Sequence, residues 1–218
     1  MKKKDYLKVP IEHIDITSFN AETIMRAMGK MSFTARELAQ AAEIYNRMLA
    51  DKKCAVILTI AGSTGAAGCM RLYADLIKHN MVDAVVATGA AIVDMDFFEA
   101  LGFKHYQGSA RVDDKTLRGL YIDRIYDTFI DEDELQACDR TIREIADALP
   151  PRPYSSREFI REMGRYLTTA PGRRIPSCRP PTNTMSPYFV PLFPTAAPVS
   201  DWSCISTHIA RATFPSIR

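Results

Sequence analysis

The stretch from Cys54 to Leu101 limits the possible folds more than any other part of the chain. CAVILTI (54–60) is apolar throughout, the pattern of a strand covered on both faces at the centre of a parallel sheet. AGSTGAAG follows, and then a helical stretch from about Ala66 to His79. DAVVAT (83–88) is a second buried strand, ended by Gly89-Ala90-Ala91, and a further helix runs from about Asp94 to Leu101. Strand, loop, helix, strand, loop, helix is the grammar of an α/β protein with a doubly wound parallel sheet.

The flanking segments fit around that unit. VPIEHIDI is extended, because β-branched residues alternate with polar ones and Pro10 disfavours a helix. Asn20 caps a helix through about Met28. Thr34 and Glu37 have capping-box spacing at the start of a longer helix. Leu38, Ala41, Ala42, Tyr45, Met48 and Leu49 form its apolar stripe. Residues 103–130 are mixed, with short strands. EDELQACDRTIREIADAL is a helix stopped by Pro150-Pro151, and Ser155 with Glu158 box-caps REFIREMGRYL. After about Thr169 no periodicity survives.

Ligands of open parallel sheets bind beyond the carboxyl ends of the strands. Here those ends carry Gly62-Ser63-Thr64-Gly65 and Thr88-Gly89-Ala90. Small residues let a backbone approach a pyrophosphate, Ser63 and Thr64 offer hydroxyls, and the following helix offers free N–H groups. The spacing G-x-x-G-x-x-G is neither the dinucleotide fingerprint nor a P-loop. The competing reading is that these glycines only let helix and strand pack closely. Asp94 and Asp96 follow the second loop, where a carboxylate can hold a ribose hydroxyl or a polyamine nitrogen. Equally, Asp94 can be an N-cap and Asp96 a first-turn acid. His79 suits a helix C-terminus, and His105 could line a site but reads more simply as a solvated loop histidine. Asp131 to Glu134 reads as an acidic helix start.

Composition narrows the partners. A formal net charge of +2 gives no electrostatic footprint for nucleic acid. No apolar run is long enough to span a bilayer, and the N-terminus lacks the apolar core of a signal peptide. The expectation is a cytoplasmic protein. Five scattered cysteines without a C-x-x-C pair fit reduced thiols better than zinc or disulfides.

SFTAREL, LTIAGSTGAAGCM and LIKHNMVDAVVATGAAIVDMDFFEALG together resemble the deoxyhypusine synthase family, most specifically in HNMVDA and the T-G-A turn. The resemblance covers roughly Val9 to Leu167. It implies a Rossmann-like NAD-binding fold and a homotetramer with active sites shared across subunit pairs. It also implies a chemistry: NAD takes a hydride from spermidine, and the aminobutyl group passes through an imine on an enzyme lysine to an acceptor amine. The acceptor is a lysine of a translation factor precursor, or putrescine in homospermidine synthase-type relatives. By the same resemblance, Gly62, Ser63 and Thr64 sit at the NAD phosphates and Thr88, Gly89 and Ala90 line the next turn. Asp94 and Asp96 take the place of the acidic NAD or polyamine contacts. Small residues replace the Ser-Asn-Leu of some members. One extra residue separates the T-G-A turn from the acids.

Family members continue past 218 residues, into a segment P-x-F-x-P-A-x-x-D-x-S and the imine-forming lysine. In this chain the last lysine is Lys115, and residues from Pro176 onward contain no Lys and no Glu. Back-translation one base earlier turns Met185 to Trp202 into a permitted V-P-I-F-C-P-A-F-S-D-S-S-A-G-F-G-L, the missing segment. The expectation is therefore two regions. Residues 1–170 are the N-terminal part of an NAD-binding domain. Residues 171–218 are an out-of-frame translation, the frame changing between Thr169 and Arg173. A genuine Pro-rich binding tail is the alternative. For function the expectation is an aminobutyl transferase inactive in this form. The alternative is a non-catalytic dinucleotide-binding or subunit-interaction module.

Overall fold

The computed structural model describes residues 2–169 together with 188–189. It opens with a one-turn helix α1 (Lys3–Tyr6), then α2 (Glu22–Met28) and α3 (Phe33–Ala50). β1 (Ile57–Ile60) leads through a wide turn, Gly65–Cys69, into α4 (Met70–Lys78). β2 (Ala84–Ala87) leads through a second wide turn, Ala91–Phe97, into α5 (Phe98–Ala100). β3 (His105–Gln107), α6 (Asp114–Gly119), β4 (Ile122–Ile125), β5 (Thr128–Asp131), α7 (Glu132–Ala148) and α8 (Ser156–Thr169) follow.

The protein is mixed α/β, with two small sheets among the described residues. β1 and β2 pair in parallel, Ile57 opposite Ala84 and Ile60 opposite Ala87. The second sheet is antiparallel in the order β3-β5-β4. Of the proline-rich tail, only Tyr188–Phe189 is described; as β6 it pairs in parallel with Ala84 and Val85. The expectations for the rest of that tail lie outside the described residues.

Several expectations need correction. The 54–60 run is not covered on both faces: Ile57 is 60% exposed. Among the described residues β1 is the edge of the order β1-β2-β6, with a strand neighbour on one side. β2 is the interior strand, and Val85 and Ala87 are buried. The capping box at Thr34 and Glu37 does not form, because α3 starts two residues earlier, with Ser32 as its N-cap. Its inward stripe is narrower than predicted. Tyr45 and Met48 pack on Val56, Val82 and Val85, whereas Leu38 and Leu49 stay exposed.

The box at Ser155 does form. The Ser155 N–H and Oγ–H both donate to Glu158 Oε2 at 2.8 Å, and the Glu158 N–H donates back to Ser155 Oγ at 3.3 Å. Asp131 caps α7, accepting from the Asp133 N–H at 2.9 Å. The main core lies where the second wide turn and α5 meet α7 and α8. Phe97, Phe98, Cys138, Ile142, Ile145, Ile160 and Met163 fill it.

Candidate functional site

Both small-residue loops emerge from the same end of the parallel sheet. Ile60 lies opposite Ala87, so Gly62-Ser63-Thr64 and Thr88-Gly89-Ala90 leave adjacent strand ends. The Thr88 N–H donates to the Ile60 carbonyl at 3.3 Å, extending the ladder one residue past the strands. Beyond it the two wide turns close on each other at Gly65. A Cβ there would sit 2.5 Å from Met70 Sδ and 3.1 Å from Met95 Cβ, so this glycine is fixed by packing. Gly62 is different. It is exposed, with φ +73°, and a Cβ would meet nothing within 4 Å. Its backbone is open to a ligand.

The hydroxyls divide as well. Thr64 Oγ1 accepts from the Tyr73 O–H at 2.7 Å, which fixes its position at the loop rim. Ser63 is half-buried beside it. Thr88 Oγ1 accepts from the Ala91 N–H at 3.3 Å. Thr88 thus caps the helix that starts at Gly89, five residues before the predicted start. This displaces the N-cap reading of Asp94 and the first-turn reading of Asp96. Both acids lie in the second turn.

Those acids are costly where they stand. Asp94 is half-buried, and its carboxyl is pushed up to about 6, by desolvation first and then by Asp139, with His105 partly offsetting. Asp96 is raised too, by surrounding protein and then by Glu99, against His13. It is nevertheless exposed. Water therefore reaches its carboxylate, which limits the rise.

Next to them is a cluster that sequence reasoning missed. Glu99 accepts from two histidines, His13 through Nε2 and His105 through Nδ1, the latter at 2.7 Å. Desolvation alone would raise the Glu99 carboxyl, but the hydrogen bonds from His105 and His13 outweigh it and hold it low. His105 is not a solvated loop residue. It begins β3, its ring is fully buried, and it packs against Phe98 with ring centroids 5.0 Å apart and planes tilted by 53°. The available signal was Glu99 six residues before His105, but His13 is too far along the chain for any local pattern. His79 caps the end of α4, as predicted. Among the described residues no group of His, Cys, Asp and Glu could hold a metal ion, and no helix is long and apolar enough to cross a membrane.

The architecture is thus an α/β protein whose parallel strands end in paired small-residue loops backed by two acids. The family model for deoxyhypusine synthase matches residues 23–179. The deoxyhypusine synthase-like protein of Coxiella burnetii (strain RSA 493 / Nine Mile phase I) is 64% identical over 172 residues, 79% of this chain and 49% of that protein. The deoxyhypusine synthase-like protein of Caulobacter vibrioides is 62% identical over 166 residues, 76% of this chain and 45% of that protein. The protein named "Probable deoxyhypusine synthase 2" of Methanosarcina acetivorans is 36% identical over 165 residues. The chain belongs to the deoxyhypusine synthase family, and it spans about half the length of the curated relatives it matches.

Proposed function

We propose that this chain is the dinucleotide-binding part of a deoxyhypusine synthase-like transferase with a Rossmann-like NAD site. The observation that carries this is the adjacency of Gly62-Ser63-Thr64 and Thr88-Gly89-Ala90 at one end of two parallel strands. The open backbone at Gly62, the hydroxyl of Ser63 and the helix start at Gly89 suit a phosphate group. Asp94 and Asp96 would hold a ribose hydroxyl or an amine. NAD, when bound, would supply the hydride acceptor for oxidation of a spermidine carbon. The residues here bind and orient. Asp96, open to water, favours a cationic amine electrostatically. The packed turns at Gly65 fix the loop against the helix that carries both acids.

The substrates by the same reading are spermidine and an acceptor amine, a translation factor precursor lysine or putrescine. The assembly is a homotetramer, and the setting is cytoplasmic. An amine nucleophile needs a desolvated lysine. The lysines present are exposed, apart from Lys3, which pairs with Asp131 and Asp133, so none of them is such a nucleophile and no aminobutyl transfer onto them is expected. Residues 171–218 read as an out-of-frame translation following a domain of 1–170, with the family match running to residue 179, nine residues past that boundary. Titration calorimetry with NAD tests the binding role. Weak binding that Gly62→Val and Gly89→Val abolish is expected; binding untouched by both changes refutes it. Borohydride trapping with labelled spermidine tests the chemistry. NAD-dependent label on any lysine of this chain would overturn the claim of inactivity.

A further inference from the structure

Residues 9–15 run extended between β3 and the Gly65–Cys69 turn. On one side they border β3. The Gln107 N–H donates to the Val9 carbonyl and the Ile11 N–H to the His105 carbonyl, both at 2.8 Å, around a bridge from Pro10 to Tyr106. On the other side they lie against the wide turn that follows the first loop. The Ile14 N–H donates to the Gly68 carbonyl at 3.0 Å, and a Cβ on Gly68 would come within 2.8 Å of the Glu12 carbonyl. Asp15 pairs with Arg71 on α4.

Between these backbone contacts, His13 reaches inward to Glu99, which also holds His105. One carboxylate balances one imidazolium. His105 is the costlier place for that charge: its side chain has no exposure, and its Nε2 has no partner among the described residues. His13 is 16% exposed. Its Nδ1 lies near the Gly68 carbonyl, short of a formed hydrogen bond.

We propose that residues 9–15 are a strap over the Gly65–Cys69 turn and that His13 is its proton-operated latch, closed while the imidazole is charged. The groups facing His13 are Glu99 and Asp96 from the second wide turn and α5, His105 from β3, and Lys104 just before it. Lys104 opposes the charge, and the bond to Glu99 dominates and raises His13 above its ordinary 6.5. The latch is therefore at full strength below 6.5 and weakens as pH rises through the folded value, where neutral His13 keeps at most an uncharged N–H on Glu99. Glu99 is held below its ordinary 4.5, so at the acid end the latch is lost only as pH falls through that lowered value. The strap does not depend on what the loop binds.

The test is amide hydrogen exchange of the full 218-residue chain across about pH 5 to 9, corrected for intrinsic exchange. Protection at the Ile14 amide should fall about tenfold as His13 loses its proton, the scale of one charge-assisted hydrogen bond. The Leu117 amide, bonded to the Asp113 carbonyl in α6, should not respond. His13→Gln keeps a donor to Glu99 without a titrating proton and should flatten the Ile14 profile. A second measurement needs no variant: the midpoint of the Ile14 response should coincide with the His13 ring titration seen by NMR. Protection independent of pH, a fall that persists in His13→Gln, or a midpoint that follows a different histidine would each overturn the proposal.

Discussion

Replacing Gly68 by alanine acts on two physical terms that the structure separates. The first is backbone strain. Gly68 has φ +98°, a conformation in which an L residue costs about 1–3 kcal/mol. The second is contact: the new Cβ would lie 2.8 Å from the Glu12 carbonyl oxygen. That atom belongs to the backbone of a segment held on both sides, so the segment must move. Forcing a methyl into such a site costs about 1–3 kcal/mol more. Gly62→Ala is the natural control. Its φ is +73°, but its Cβ would meet nothing within 4 Å, so it carries strain alone, about 1–2 kcal/mol. Urea melts followed by circular dichroism at low micromolar concentration give both values. Gly68→Ala should lose about 2–6 kcal/mol, and its Ile14 amide should lose protection, while Gly62→Ala leaves that amide unchanged. Equal losses in the two variants would refute the claim that residues 9–15 press on the Gly65–Cys69 turn.

Phe98 is fully buried in the main core, so Phe98→Ala should cost about 3–5 kcal/mol in the same melts. Ser155→Ala removes one partner of the capping box before α8 and should cost about 1 kcal/mol. For Asp94 the sign is reversed. Its carboxyl is raised from 3.8 to about 6, so the fold binds that proton more tightly and stability falls as pH rises from 3.8 through 6. Asp94→Asn should therefore gain on the order of 1–3 kcal/mol at pH 8 and almost nothing at pH 4. Ile24, Phe33 and Ile57 are 61%, 88% and 60% exposed, so light scattering should rise with protein concentration and drop in Phe33→Ser with Ile57→Thr.

The parts of the fold legible in sequence were those governed by local rules. The apolar runs at 54–60 and 83–88 marked the parallel strands, and Ser155 with Glu158 marked a helix start, because those signals lie within a few residues of each other. The hidden parts depended on distance. That β1 lies at the edge of the described sheet follows from what pairs with it, so the apolar run overstated its burial. The start of the helix at Gly89 was masked by Asp94, a conventional cap, when the Thr88 hydroxyl performs that role earlier. The positions of the site loops were legible because parallel strands place their following loops side by side. The His13–Glu99–His105 cluster was not. Its members come from three elements, and nothing in the spacing of His13 points to Glu99, 86 residues away.

Backbone NMR of the chain titrated with NAD tests the central claim most directly. Shifts should concentrate on the amides of Gly62, Ser63, Thr64, Gly89 and Ala90, with smaller changes at Asp94 and Asp96, and should vanish in Gly62→Val. Absence of any shift at millimolar NAD, or shifts confined to other parts of the chain, would contradict the assignment of these loops as the dinucleotide site.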